Sequence, residues 1–230
     1  MLRADLTAAS GLASDAAGHM ALDEAALLEA QPGELFLRVY RWSGPACTFG
    51  YSQSFAAARA ACAARGLDVS PVRRATGGGI VFHDGDVTFS LIFPWDRLCA
   101  PEAVYKNIHR GVHCALKASG AATSLWSPPL REHGAAAACF SRAEPMDLVL
   151  PDGRKVLGGA LRKRGAKGLY QGSLRPEGLG LTREAVEASI SDGVAREFAR
   201  APRADVPAGW LDAARTLEDR YRSREWNERR

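Results

Sequence analysis

The 230-residue chain is short of cysteine, of net charge and of long apolar runs. Its five cysteines (Cys47, Cys62, Cys99, Cys114 and Cys139) are odd in number and scattered. No Cys-x-x-Cys pair occurs, which argues against a zinc ribbon or a redox dithiol. No stretch approaches a membrane span, and Met1-Leu2-Arg3-Ala4-Asp5 lacks a signal-type apolar run. No membrane association is therefore expected, and the setting fits a reducing cytoplasm with free thiols. A net charge of +4 is too small to imply nucleic acid by itself. Internal repeats and domain-splitting linkers are also missing, which leaves one domain over residues 1–230 with a helical C-terminal segment at about 182–230.

What stands out is Arg73-Arg74-Ala75-Thr76-Gly77-Gly78-Gly79-Ile80-Val81-Phe82-His83-Asp84. Three glycines allow a tight turn and let bare main chain press against a bound molecule. Two arginines and a histidine beside such a turn suit an anionic or extended ligand, although an ordinary hairpin also explains the glycines. The alternation over residues 86–93 reads as a half-buried strand, with Pro94 closing the strand pair.

The other elements follow from local pattern. Residues 18–30 are strong helix formers stopped by Pro32-Gly33. Residues 34–40 alternate as a strand, and residues 47–51 look like its short partner. Ser54 is placed to cap an alanine-rich helix ending at Gly66. Residues 101–118 form an amphipathic helix, with proline in its first turn and Glu102 suited to the dipole. On it His109 and His113 share a face at metal-ligand spacing, but no carboxylate pattern completes a site, so no metal is expected. Residues 127–138 read as a loop, 146–150 as a strand, and 155–161 with 169–174 as strands about a glycine turn. Helices and strands mix without strict β-α-β alternation, so the fold class is α+β.

Two side chains beyond the glycine stretch have chemistry in reach. Lys155 follows a turn and precedes Gly158, Gly159 and Ala160, small residues that leave room for something flat or long. An ammonium there can polarise a carbonyl or neutralise a phosphate, though a surface lysine in the basic hairpin 162–167 fits too. Cys139 lies between His133 and Arg142, cations that favour the nucleophilic thiolate. It also fits a small buried hydrophobe following residues 135–138.

Several stretches together resemble the lipoate-protein ligase, octanoyltransferase and biotin ligase superfamily, most of all the cysteine-dependent octanoyltransferases. They include Met20-Ala21-Leu22-Asp23-Glu24-Ala25, Phe49-Gly50-Tyr51-Ser52-Gln53 and the glycine stretch. Cys139-Phe140, Asp147-Leu148-Val149, Gly153-Arg154-Lys155-Val156-Leu157-Gly158, Gln171-Gly172-Ser173 and Glu225-Trp226-Asn227 continue the match to the end of the chain. The resemblance implies a mixed, largely antiparallel sheet flanked by helices, with an acyl chain in a tunnel beside the glycines. It implies Cys139 as nucleophile and Lys155 at the reacting carbonyl, with Arg73, Thr76, Gly77, Gly78, Gly79, His83, Gly158, Gly159 and Ala160 binding substrate. Two positions depart from the pattern. Gly159 stands where relatives often carry serine, and Gln171 where they often carry histidine; glutamine hydrogen-bonds but cannot take a proton.

The mechanism the resemblance implies depends on how the acyl group arrives. A thioester on acyl carrier protein is already activated, so transfer through Cys139 needs no cofactor. A free carboxylate is not an electrophile, so a ligase would need ATP and Mg. Either way the acceptors are lipoyl-domain proteins, such as 2-oxoacid dehydrogenase E2 subunits and glycine cleavage H protein. A third reading, a non-catalytic carrier- or nucleic-acid-binding homologue, would rest on the basic hairpin; nucleic acid is not the expected partner.

Overall fold

The computed structural model describes residues 15–127 and 143–229. The first half runs α1 (Ala16–Glu29), β1 (Phe36–Tyr40), β2 (Ala46–Phe49), α2 (Phe55–Ala64), β3 (Val72–Arg73), β4 (Ile80–His83) and β5 (Val87–Pro94). Then come α3 (Pro101–Ala118), β6 (Ser124–Leu125), β7 (Leu148–Val149), β8 (Lys155–Arg164) and β9 (Lys167–Leu174). Helices α4 (Arg183–Glu197), α5 (Ala208–Arg222) and α6 (Arg224–Asn227) complete the chain.

Six strands form one sheet in the order β1-β5-β9-β8-β7-β6, every pairing antiparallel. A second sheet sets β2 between a parallel β3 and an antiparallel β4. The fold is thus α+β and largely antiparallel, as expected, but divided into two sheets. Two local readings are corrected by this division. β2 is not the partner of β1, which pairs instead with β5, 50 or so residues away. The glycine run is not an ordinary hairpin turn, since β3 and β4 on either side of it each pair with β2 and not with each other; after β4 the chain passes from the small sheet into the large one. The strand read at 146–150 is only Leu148–Val149, because Met146 takes a left-handed backbone (φ +71°).

Alternation along β5 sends Val87, Phe89, Leu91 and Phe93 into the main core, where α3 and α4 cover them with Ile108, Val112, Ile190 and Val194. Those two helices cross closely because both are glycine at the crossing. A Cβ at Gly111 would stand 2.4 Å from the Gly193 carbonyl oxygen. The opposite face of β5 carries Thr88 and Ser90, and it is buried too (3% and 2% exposed). The strand is therefore central rather than half-buried, and its polar face is covered by other elements instead of by water. Ser54 caps α2 as expected, accepting from the Ala57 N–H.

Candidate active site

The covered polar face is the floor of the site. Cross-strand pairing brings Thr88, Ser173 and Gly158 together, and beside them Ser90, Gln171 and Ala160. Met20 of α1 and the glycine turn roof this floor, enclosing a narrow cavity of about 30 Å³ that Arg74, Gly78 and His83 also line.

The turn over residues 77–79 is fixed from three directions. Arg74 donates from Nη2 to the carbonyls of Gly77 (2.8 Å) and Gly79 (2.9 Å), and from Nη1 to Thr48 Oγ1 (3.0 Å). The Tyr51 N–H donates to Thr76 O (2.8 Å). Gly50 admits the turn against β2, since a Cβ there would lie 2.0 Å from Gly78 O. Gly78 itself needs its glycine, at φ +84°.

Arg73, the arginine expected at the substrate, points elsewhere. Its five N–H groups are all spent on main-chain carbonyls: Tyr51 and Gln53 from Nη1, Trp226 from Nε, and Asn227 and Arg229 from Nη2. The cation of the pair that lines the cavity is Arg74.

His83 is held in a directed chain of hydrogen bonds. Its Nδ1 lies 2.9 Å from Asp86 Oδ2 and its Nε2 lies 2.9 Å from Thr48 Oγ1, while its ring stacks on Trp42. Asp86 Oδ2 also accepts from Thr88 (2.7 Å) and Ser173 (2.6 Å). Burial would raise the Asp86 pKa, but the hydrogen bonds from His83, Ser173 and Thr88 outweigh it and hold the carboxyl below its ordinary range. Burial pulls the His83 pKa down despite Asp86, so the neutral ring donates from Nδ1 and accepts at Nε2. Asp86 has only a three-residue spacing to His83 as a sequence signal; Thr48 has none.

Gln171 bridges elements. It accepts from Thr76 (2.6 Å) and donates to Asp23 (2.6 Å), whose other oxygen pairs with the buried Arg38. Thr76 is thereby braced from α1 through an amide, with no proton to exchange at that position.

Lys155 is buried (3% exposed side chain), with Nζ 2.8 Å from Asp147 Oδ2. The register between β7 and β8 slips by one residue there, a bulge that buries both Val156 and Leu157 while turning Lys155 back over the sheet. Its stem occupies the space a Cβ at Gly158 would take, 2.3 Å from Lys155 Cε. The space at Gly159 is taken by the Tyr170 ring, also at 2.3 Å. The small residues thus make room for side chains of this chain on both faces, and only Ala160 follows the simple reading of an open floor. Asp147 accepts further from Tyr105 (2.5 Å), which in turn accepts from the Gly159 N–H (3.0 Å). Burial pushes the Asp147 carboxyl above its ordinary range against the opposing pull of Lys155. Tyr105 and the role of Asp147 carried no local signal, being 50 and eight residues from Lys155 in sequence.

Cys139 lies outside the described residues. His109 and His113 take separate partners: His109 bridges Met146 O and Tyr170, and His113 meets Thr123. Among the described residues no helix is long and apolar enough to cross a membrane.

The family model for the lipoyl protein ligase A/B catalytic domain matches residues 15–178. The chain belongs to this family. Within it, the octanoyltransferase LipM of Moorella thermoacetica is 32% identical over 168 residues, 70% of this chain and 61% of that protein. The LipM of Symbiobacterium thermophilum is 34% identical over 166 residues, 68% and 60% of the two chains. The matched segment thus spans about three fifths of these relatives, whereas the LipM of Kyrpidia tusciae matches at 28% over 95% of its length. Among solved structures, lipoate-protein ligase A bound with ATP superposes with a TM-score of 0.76 at 20% identity, covering 93% of this chain and 94% of that one. The bipartite lipoate protein ligase of Thermoplasma acidophilum gives 0.73 at 22%, covering 92% and 91%. At that identity these two likenesses establish the family fold.

Proposed function

We propose that the chain is an acyltransferase that places an octanoyl or lipoyl group on a lysine of lipoyl carrier domains. The donor is acyl carrier protein and the carrier of the group is Cys139. The observation that carries the reading is Lys155: a buried ammonium, ion-paired with Asp147, whose stem lies on the glycine that lines the cavity. The choice of octanoyl as the group transferred is supported by the likeness to the octanoyltransferases.

In the first step the Cys139 thiolate attacks the donor thioester carbonyl. A new C–S bond forms, the old one breaks, and the carrier sulfur leaves as a thiolate that takes up the proton Cys139 had given up. In the second step an unprotonated lysine amine of the acceptor attacks the Cys139 thioester; the C–N bond forms, the C–S bond breaks and the amine proton passes to the sulfur. Each passes through an oxyanion, and an ammonium already fixed by Asp147 offers stabilisation without reorganising. His83 and the rigid glycine turn shape the acyl slot. No step calls for a nucleotide or a metal.

Incubation with octanoyl-acyl carrier protein should give an octanoyl adduct on Cys139 by mass spectrometry, and Cys139→Ser should abolish transfer. Transfer from free octanoate or lipoate that requires ATP and Mg and survives Cys139→Ser would overturn the proposal in favour of the ligase reaction.

A further inference from the structure

Arg73 raises a question that the acyl slot does not answer. A fully buried guanidinium spends all its donors on carbonyls from two distant parts of the chain. Two of those carbonyls belong to Tyr51 (2.6 Å) and Arg229 (3.0 Å), residues whose side chains meet outside. The Arg229 guanidinium lies 3.8 Å from the Tyr51 ring centre, and that of Arg162 lies 5.0 Å from the same ring. Tyr51 is one of only two large hydrophobic side chains exposed among the described residues (39%). The Arg229 guanidinium also stacks on Trp226, 4.0 Å from its ring centre, and its Nη2 is buried with no hydrogen-bond partner among the described residues.

The cluster borders the acyl slot. Gly158, Ala160 and Arg162 alternate along one face of β8, the first two lining the cavity. Arg162 then bonds Ala75 O (3.1 Å), just before the glycine turn. From Gly158 to Arg162 is four residues of strand, about 13 Å. No carboxylate is paired with Arg162 or Arg229 among the described residues, unlike Arg220 and Arg224 nearby. The two guanidiniums hold the Tyr51 hydroxyl below its ordinary pKa, Arg229 more strongly than Arg162. Two forked cations and a phenol at the rim of a slot for a thioester match a phosphate ester, which takes charged hydrogen bonds from arginine.

We infer that Tyr51, Arg162 and Arg229 form a rim site for the phosphodiester on the thiol arm of the acyl donor, assembled by Arg73. The inference rests on the acyltransferase reading for its ligand. An extended phosphopantetheine arm spans the distance from the rim to the slot. The rim would thereby select donors whose thioester hangs from a phosphorylated arm, while leaving the acyl chain to the slot. A nucleotide phosphate shares this chemistry and is the competing source.

The test compares octanoyl-pantetheine with octanoyl-4′-phosphopantetheine as donors to a lipoyl domain. Wild type should favour the phosphorylated donor in kcat/KM by about tenfold to a hundredfold, carried by KM, as for charged hydrogen bonds. In Arg162→Gln/Arg229→Gln that ratio should fall to about one, whereas Arg164→Gln, on the same strand but outside the cluster, should keep it. Equal use of both donors by wild type, or an equal loss in Arg164→Gln, overturns the inference. Should neither donor be used, the acyltransferase reading has failed and binding decides the rim. Tyrosine and tryptophan fluorescence should then report tighter binding of 4′-phosphopantetheine than of pantetheine, lost in the double variant. Equal binding of the two, or binding of AMP without binding of phosphopantetheine, overturns it.

Discussion

Gly50→Ala tests whether the glycine turn is a held wall or a loose loop. The new Cβ would stand 2.0 Å from Gly78 O and 2.8 Å from the carbonyl carbon and oxygen of Gly77. Ordinary contact begins near 3.4 Å, so the turn must move by about 1.4 Å or β2 must give way. β2 is held between β3 and β4, and Phe49, just before Gly50, is fully buried. The turn is the softer side, but moving it strains the bonds from Arg74 to Gly77 O and Gly79 O. Overpacking of this kind costs about 1–3 kcal/mol of stability. A displacement of an ångström in a positioning wall costs on the order of a hundredfold in rate. Urea unfolding and octanoyl transfer, measured side by side, should show both losses. Gly209→Ala is the companion variant: it lies in α5 with nothing within 4 Å, so it should leave transfer alone and add up to about 1 kcal/mol. Wild-type transfer and stability in Gly50→Ala would refute the claim that this turn is fixed by main-chain contact.

Acid should unfold the protein early. Burial pushes His19 and His109 down to about 3, and the unfolded value is near 6.5. A depressed folded pKa means that the stability is complete above pH 6.5 and is lost as the pH falls below it, because the unfolded chain then binds the protons. Two such groups remove about 3 kcal/mol between pH 7.5 and 5.5, with His83 adding to the loss; a flat urea midpoint over that interval would contradict it. Asp147→Asn removes the carboxylate beside the buried Lys155 and should cost about 3 kcal/mol, a fall of about 6–12 °C in Tm. Asp147→Asn/Lys155→Met should be more stable than the single variant, since it no longer buries that charge; an unchanged Tm in Asp147→Asn would show that the pair does not hold the site.

The glycine stretch, the lysine turn and the α+β class were all readable from local pattern, because glycine, proline and alternation act over a few residues. Alternation in β5 correctly separated Phe89 and Leu91 from Thr88 and Ser90. It could not say that the second pair faces a covered site, since two unlike faces in a strand leave open what lies on each. Similarly, Gly158 and Gly159 announce missing side chains, but only the packed chain shows Lys155 and Tyr170 filling those spaces.

Sequence by itself determined that a bare-backbone turn flanked by cations meets a strand with a polar face, and that a lysine follows a second turn. Tertiary structure decided which arginine serves the cavity and which clamps the distant residues 226–229. It also decided that Asp147, Tyr105, Asp86 and Gln171 complete the site. The physical reason is that a side chain's role depends on the groups within a few ångströms of it, and here those groups come from up to 156 residues away along the chain.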